Sequence, residues 1–151
     1  VTNPDILRAN LVTKLRDIPS LVALLGGDPA NIVEFIEQAE GDSFGTIAKL
    51  SPPKLLVMYT GSVPRTQMEY RQHNFSLIPR VSGSPVAIYE QIEDGIPVSG
   101  TGLKMLYEPI HFAVHPMEVT SMQRRVIPVS EQSSFDYWEI LTSFVENRVG
   151  G

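Results

Sequence analysis

Proline constrains this chain more than any other residue. It occurs twelve times in 151 residues, about 8% against a usual ~5%. Each proline fixes φ and removes a backbone donor, so it is tolerated at helix starts, turns and strand ends but not inside long helices. The chain is therefore expected to be cut into short elements. Pro4 and Pro85 open helices, Pro19 and Pro29 suit helix starts, and Pro53 leads a strand. Pro64, Pro79, Pro97, Pro109, Pro116 and Pro128 fall in or beside connections. The last 23 residues contain none, which predicts one uninterrupted terminal element as the spine of the fold.

Local patterns fill the intervals. Asn3, Pro4 and Asp5 together read as a helix start: a capping side chain, a pre-set φ, and an acid at the positive end of the helix dipole. Leu7, Leu11, Leu15 and Ile18 then recur at helical spacing. Residues 20–25 make a further short turn, which Gly26 and Gly27 end as a glycine C-terminal cap. The segment 31–40 fits either a helix or a short strand at 32–36, and the reading leans to the strand. Residues 55–60 predict a buried strand ended by Gly61, and 70–80 its antiparallel partner. Arg71, His73, Phe75 and Leu77 share one face of that partner. Ser84 and Pro85 cap a second long helix, with Val86, Tyr89 and Ile92 inward and Gly95 as its stop. The stretch 96–128 reads as glycine- and proline-rich loop with short extended pieces near 104–107 and 110–114. Residues 135–147 favour a long strand, although a terminal helix also fits through Tyr137, Leu141, Phe144 and Val145.

These elements predict one α+β domain spanning 1–151, with a small, mainly antiparallel sheet flanked by two or three helices. A chain of this length buries roughly 68–70% of its unfolded surface, enough for an unstapled core. It contains no cysteine, which excludes disulfide frameworks, thiolate metal sites and cysteine nucleophiles. Twelve basic against seventeen acidic side chains give a net charge of −5, which argues against nucleic-acid binding driven by overall charge. No apolar run approaches the ~20 residues of a membrane-spanning helix, so the protein is expected to be soluble, with no membrane partner.

Several motifs carry possible chemistry. Gly41-Asp42-Ser43-Phe44-Gly45 matches the G-x-S-x-G nucleophile elbow of serine hydrolases, which makes a small hydrolase using Ser43 the alternative function. The polar run before it is no buried strand, however, and a polar glycine loop explains it better. His111 and His115 have helical metal-ligand spacing, but Pro109 and Pro116 bracket them and Phe112 occupies the glutamate position of H-E-x-x-H. Gly100 and Gly102 with Lys104 lack the third glycine and the context of a phosphate loop. No catalytic, metal or cofactor site is therefore assigned. Arg65, Arg71, Arg80, Arg124 and Arg125 are candidates for docking acidic partners. Glu34, Glu37, Glu40 and Asp42 form the densest acidic patch, of a kind that would repel phosphate.

The order of these pieces resembles the tail terminator and neck (tail completion) proteins of long-tailed bacteriophages. The resemblance rests on the N-terminal amphipathic helix over 5–18, the short strand over 32–35, and the proline-led strand Pro53-Lys-Leu-Leu-Val-Met-Tyr-Thr-Gly61. It continues through Arg71-Gln-His-Asn-Phe-Ser-Leu-Ile78, the capped helix over 84–95, and the aromatic-acidic strand Asp136-Tyr-Trp-Glu-Ile140. It implies a non-enzymatic virion subunit in the neck, assembled in the host cytoplasm into a ring, expected to be a hexamer. That ring would cap the tail tube and meet both the tail tube protein and the head completion or connector protein. The five arginines would then serve interfaces, and the acids Glu34, Glu37, Glu40 and Asp42 would face a lumen through which DNA passes without specific binding.

Overall fold

The computed structural model describes residues 3–35, 50–64, 70–98, 112–113 and 118–147. Helix α1 (Pro4–Arg16) begins where the sequence sets it: the Asn3 side chain accepts the Asp5 amide, Pro4 takes the first position, and Lys14 and Arg16 occupy the last turn. Helix α2 (Pro19–Leu24) also opens on its proline. It closes in a Schellman turn, in which Gly27 N–H reaches the Val22 carbonyl at 2.9 Å. Gly26 and Gly27 both hold positive φ, 80° and 78°, where any residue with a Cβ is strained. A single 3-10 turn (Pro29–Asn31), capped by Asp28, leads into strand β1 (Ile32–Glu34). Within the described part of 31–40 the strand alternative is therefore the one adopted.

Strands β2 (Lys54–Pro64) and β3 (Tyr70–Arg80) form a long antiparallel pair. Gly61 does not end β2, contrary to the sequence reading. The register shifts between Tyr59 and Gly61, and Gly61 takes φ 139°, so the glycine accommodates a bulge within a continuing strand. Pro79 also lies within a strand. It pairs with Leu55 on the β2 side, but the ladder on the other side of β3 stops at Leu77, so its missing N–H leaves no gap there.

Helix α3 (Val86–Val98) starts at Ser84, whose hydroxyl accepts the Val86 amide at 3.3 Å. It runs through Gly95 and Pro97, so Gly95 is not its stop. Its inner face is as expected at Ile92, which is buried, and at Tyr89, which packs against the core, but Ile88 takes the inward place expected of Val86, which is exposed.

The remaining strands are β4 (Phe112–Ala113), β5 (Glu118–Ser130) and β6 (Ser133–Asn147). The sequence reading treats 118–128 as loop, yet β5 and β6 form a hairpin in which Ser130 pairs with Ser133. Pro128 sits inside β5 near its end, where the pairing is already irregular between Pro128 and Ser130. The terminal segment is a strand, as favoured. The fold is α+β, with a mixed six-stranded sheet ordered β1-β2-β3-β6-β4 and β5 also pairing with β6. Only β1 with β2 is parallel among these pairs.

One face of the sheet carries the main core. Leu7, Leu11, Val12 and Leu15 of α1, Leu21 and Leu25 around α2, and Ile88 and Ile92 of α3 pack on Ile32, Leu55, Val57, Phe75, Leu77 and Ile140. Tyr59 stands edge-on to Phe75, ring centroids 5.4 Å apart. The opposite face holds a smaller cluster of Phe35, Leu56, Ile78 and Tyr137.

Phe75 is fully buried at the centre of the larger cluster, so Phe75→Ala should cost about 3–5 kcal/mol in urea denaturation. The two glycines separate a backbone effect from a steric one. A Cβ on Gly27 would meet nothing within 4 Å, whereas one on Gly26 would come 3.3 Å from Pro53 Cγ. Gly27→Ala should cost about 1 kcal/mol from positive φ alone, and Gly26→Ala should cost measurably more.

Candidate functional site

The candidate interaction residues fall on different parts of the sheet. Arg71 and Arg80 stand near opposite ends of β3, and at ~3.4 Å per residue they are about 30 Å apart. Both are half-buried. Arg71 Nη1 donates to Ser62 Oγ at 2.8 Å on the neighbouring strand, so part of its hydrogen-bonding capacity is spent within the fold. Arg124 and Arg125 lie side by side on β5 and therefore point to opposite faces. The expected basic set is thus not one patch. Arg65 lies outside the described residues.

Of the acidic candidates, Glu34 is described, while Glu37, Glu40 and Asp42 lie outside the described residues. Glu34 Oε1 accepts from Arg8 Nε at 3.3 Å, and Arg8 Nη2 also reaches Asp5 at 3.1 Å. The Arg8 side chain is nearly buried between them, so Glu34 helps to neutralise a buried cation and ties α1 to β1. Ser43, His111, His115, Gly100, Gly102 and Lys104 also lie outside the described residues. Among the described residues no group of three or more His, Asp or Glu side chains could hold a metal.

The β5–β6 hairpin holds the densest polar arrangement that sequence reasoning missed. Glu139 on β6 is only 6% exposed, which demands compensation for its charge. It receives two bonds: Ser76 Oγ donates to Oε2 at 2.8 Å from β3, and Arg125 Nε donates to Oε1 at 3.0 Å from β5. The carboxylate therefore clamps three strands together. On the other face Arg124 pairs with Asp136 across the same hairpin. A serine beside a carboxylate could suggest a nucleophile and its base, but Ser76 is fully buried and the carboxylate is held by a guanidinium, so no substrate reaches the hydroxyl.

Tyr137, in register with Arg125, is nearly buried beside this network. Burial pushes its phenol above the ordinary tyrosine range, the Glu139 charge adds to the rise, and Arg125 opposes it. A second polar pair lies within the helix-covered core, where Tyr59 Oη is 2.9 Å from Nδ1 of the fully buried His73. Trp138 and Val126 are exposed beside Arg124 on the hairpin, at 38% and 55%. Exposed tryptophan and arginine are the side chains that most often anchor interfaces. The signal for this hairpin was present as two β-rich runs around Ser130-Glu131-Gln132-Ser133, but Pro128 obscured it.

Ser76→Ala removes a donor from a buried carboxylate and should cost about 1–3 kcal/mol in urea denaturation. Arg125→Ala strips the nearly buried Glu139 carboxylate of its cation and should cost at least as much, about 1–3 kcal/mol, because water entering beside the half-exposed guanidinium replaces only part of it. Tyr137 contributes to the alkaline behaviour. A phenol whose folded pKa is raised stabilises the fold below the unfolded value of ~10, and that stability is lost as pH rises from there through the folded value. Alkaline denaturation followed by tyrosinate absorbance should therefore show a loss of stability above about pH 10 that Tyr137→Phe reduces.

No protein-family model matches the chain, and no curated protein matches it.

Proposed function

We propose that the chain is a structural subunit of the neck of a long-tailed bacteriophage, acting as a tail terminator or adjacent neck component. The observation that carries this reading is the order of elements. An amphipathic helix, a short edge strand, the antiparallel pair β2–β3, a capped helix and a long terminal strand follow one another in the order on which the resemblance to those proteins rests.

In this reading, six copies close into a ring at the head-proximal end of the tail tube. A ring requires a heterologous interface, in which one surface of a subunit meets a different surface of the next. The sheet order supports such an arrangement, because β1 and β5 lie towards opposite sides of the sheet and carry different side chains. The function is then interfacial. One ring face stops growth of the tail tube protein, the other docks the head completion or connector protein, and DNA passes through the lumen without specific contacts. The site of action is the virion neck, with assembly in the host cytoplasm. No residue needs to react.

Light scattering and negative-stain imaging test the proposal, with the protein alone and mixed with purified tail tubes. Six-membered rings, free or seated on tube ends, are the expected result. A monomer that persists both alone and in the presence of tubes overturns it.

A further inference from the structure

The β1 and β5 edges of the sheet differ in how they are finished. At the β1 edge, Ile32 N–H bonds to the Pro29 carbonyl. The Ile32 carbonyl accepts from Arg16 Nη2 at 2.7 Å and Nε at 3.2 Å. Both backbone groups of that edge residue are therefore satisfied within the chain. Along the β5 edge, no strand among the described residues pairs with the outer side. The four successive residues 123–126 are all exposed, on both faces of the sheet. Register irregularities between Val119 and Ser121 and between Pro128 and Ser130 bracket a regular window over 121–127. An edge of this kind is a template for an added strand.

We propose that the 121–127 edge of β5 takes up an extended acidic segment of a partner protein as an added strand. The charge pattern selects the partner. Arg124 and Arg125 expose 59% and 52% of their side chains, and among the described residues each bonds to a carboxylate of β6. A guanidinium carries five donors, so both retain capacity on the outer side. Carboxylates at two successive positions of an added strand would fall one on each face. They would extend the Asp136–Arg124 and Glu139–Arg125 pairs into three-strand ladders. An apolar residue next to them would cover Val126 and Trp138. A second copy pairing antiparallel about this window would instead set arginine against arginine, and directly opposed like charges are destabilising. This inference stands without the ring reading.

Trp138 is the only tryptophan in the chain and reports directly on the hairpin. The probe is a synthetic peptide of alternating threonine and valine around a central Asp-Glu pair. The controls are the same peptide with Lys-Lys at its centre and a single-stranded oligonucleotide. The acidic peptide is expected to blue-shift Trp138 emission and to bind about tenfold or more tighter than the Lys-Lys peptide. Arg124→Gln should weaken it, and Val126→Pro should abolish it by blocking the edge. If Val126→Pro does not fold, the comparison between peptides decides alone. Absence of a shift with the acidic peptide, equal binding of the Lys-Lys peptide, preference for the oligonucleotide, or a dimer that itself buries Trp138 would each overturn the proposal.

Discussion

Strand β6 is the element on which the rest of the sheet depends. It bonds to β3 along one side and to β4 and β5 along the other, so among the described strands the two halves of the sheet meet through it. Its position is fixed by two different forces on its two faces. Ile140 is drawn into the helix-covered core by apolar burial, while Glu139 is held on the opposite face by charge-assisted hydrogen bonds from Ser76 and Arg125. A one-residue slip would exchange these neighbours, placing a carboxylate in the main core and an isoleucine between a serine and an arginine. Register is therefore specified by chemistry as well as by shape.

Helix α1 stabilises the other end of the sheet in a similar mixed way. Its leucine stripe supplies burial, but its cations finish the edge: Arg8 meets Glu34 and Arg16 meets the Ile32 carbonyl. Neighbouring loops are tied in by Lys54 to Asn31 and Asn31 to the Leu25 carbonyl. The short parallel strand β1 would be marginal by itself, with three residues in its ladder. Docked side chains from α1 account for its place in the sheet.

Legibility of the fold in the sequence followed how local each cause was. Asn3, Pro4, Pro19, Gly26 and Gly27 act on their own neighbours, and the elements they bound were readable. The alternation of 70–80 was readable because β3 is regular throughout. Gly61, Gly95 and Pro128 misled, since a glycine or proline stops an element only when tertiary pairing does not carry the chain past it. Strand β5 was hidden because its register with β6 is interrupted near both ends and a proline lies within it. The placement of the candidate arginines was not readable: adjacency in sequence sets Arg124 and Arg125 on opposite faces, and the length of β3 separates Arg71 from Arg80. The pairing of Glu139 with Ser76 joins residues 63 positions apart, and no local pattern announces it.

The bulge in β2 makes that strand two half-strands in opposite phase. Before it, Tyr59 faces the same side as Phe75; after it, Ser62 rather than Gly61 is set opposite His73. The extra residue thus keeps a hydroxyl side chain beside the buried histidine and turns Val63 to the other side, where it is exposed. Chain length at position 60 therefore acts as a phase selector. Losing that one residue would leave the order of the remaining β2 residues intact, yet it would invert inside and outside for everything between it and the end of the strand.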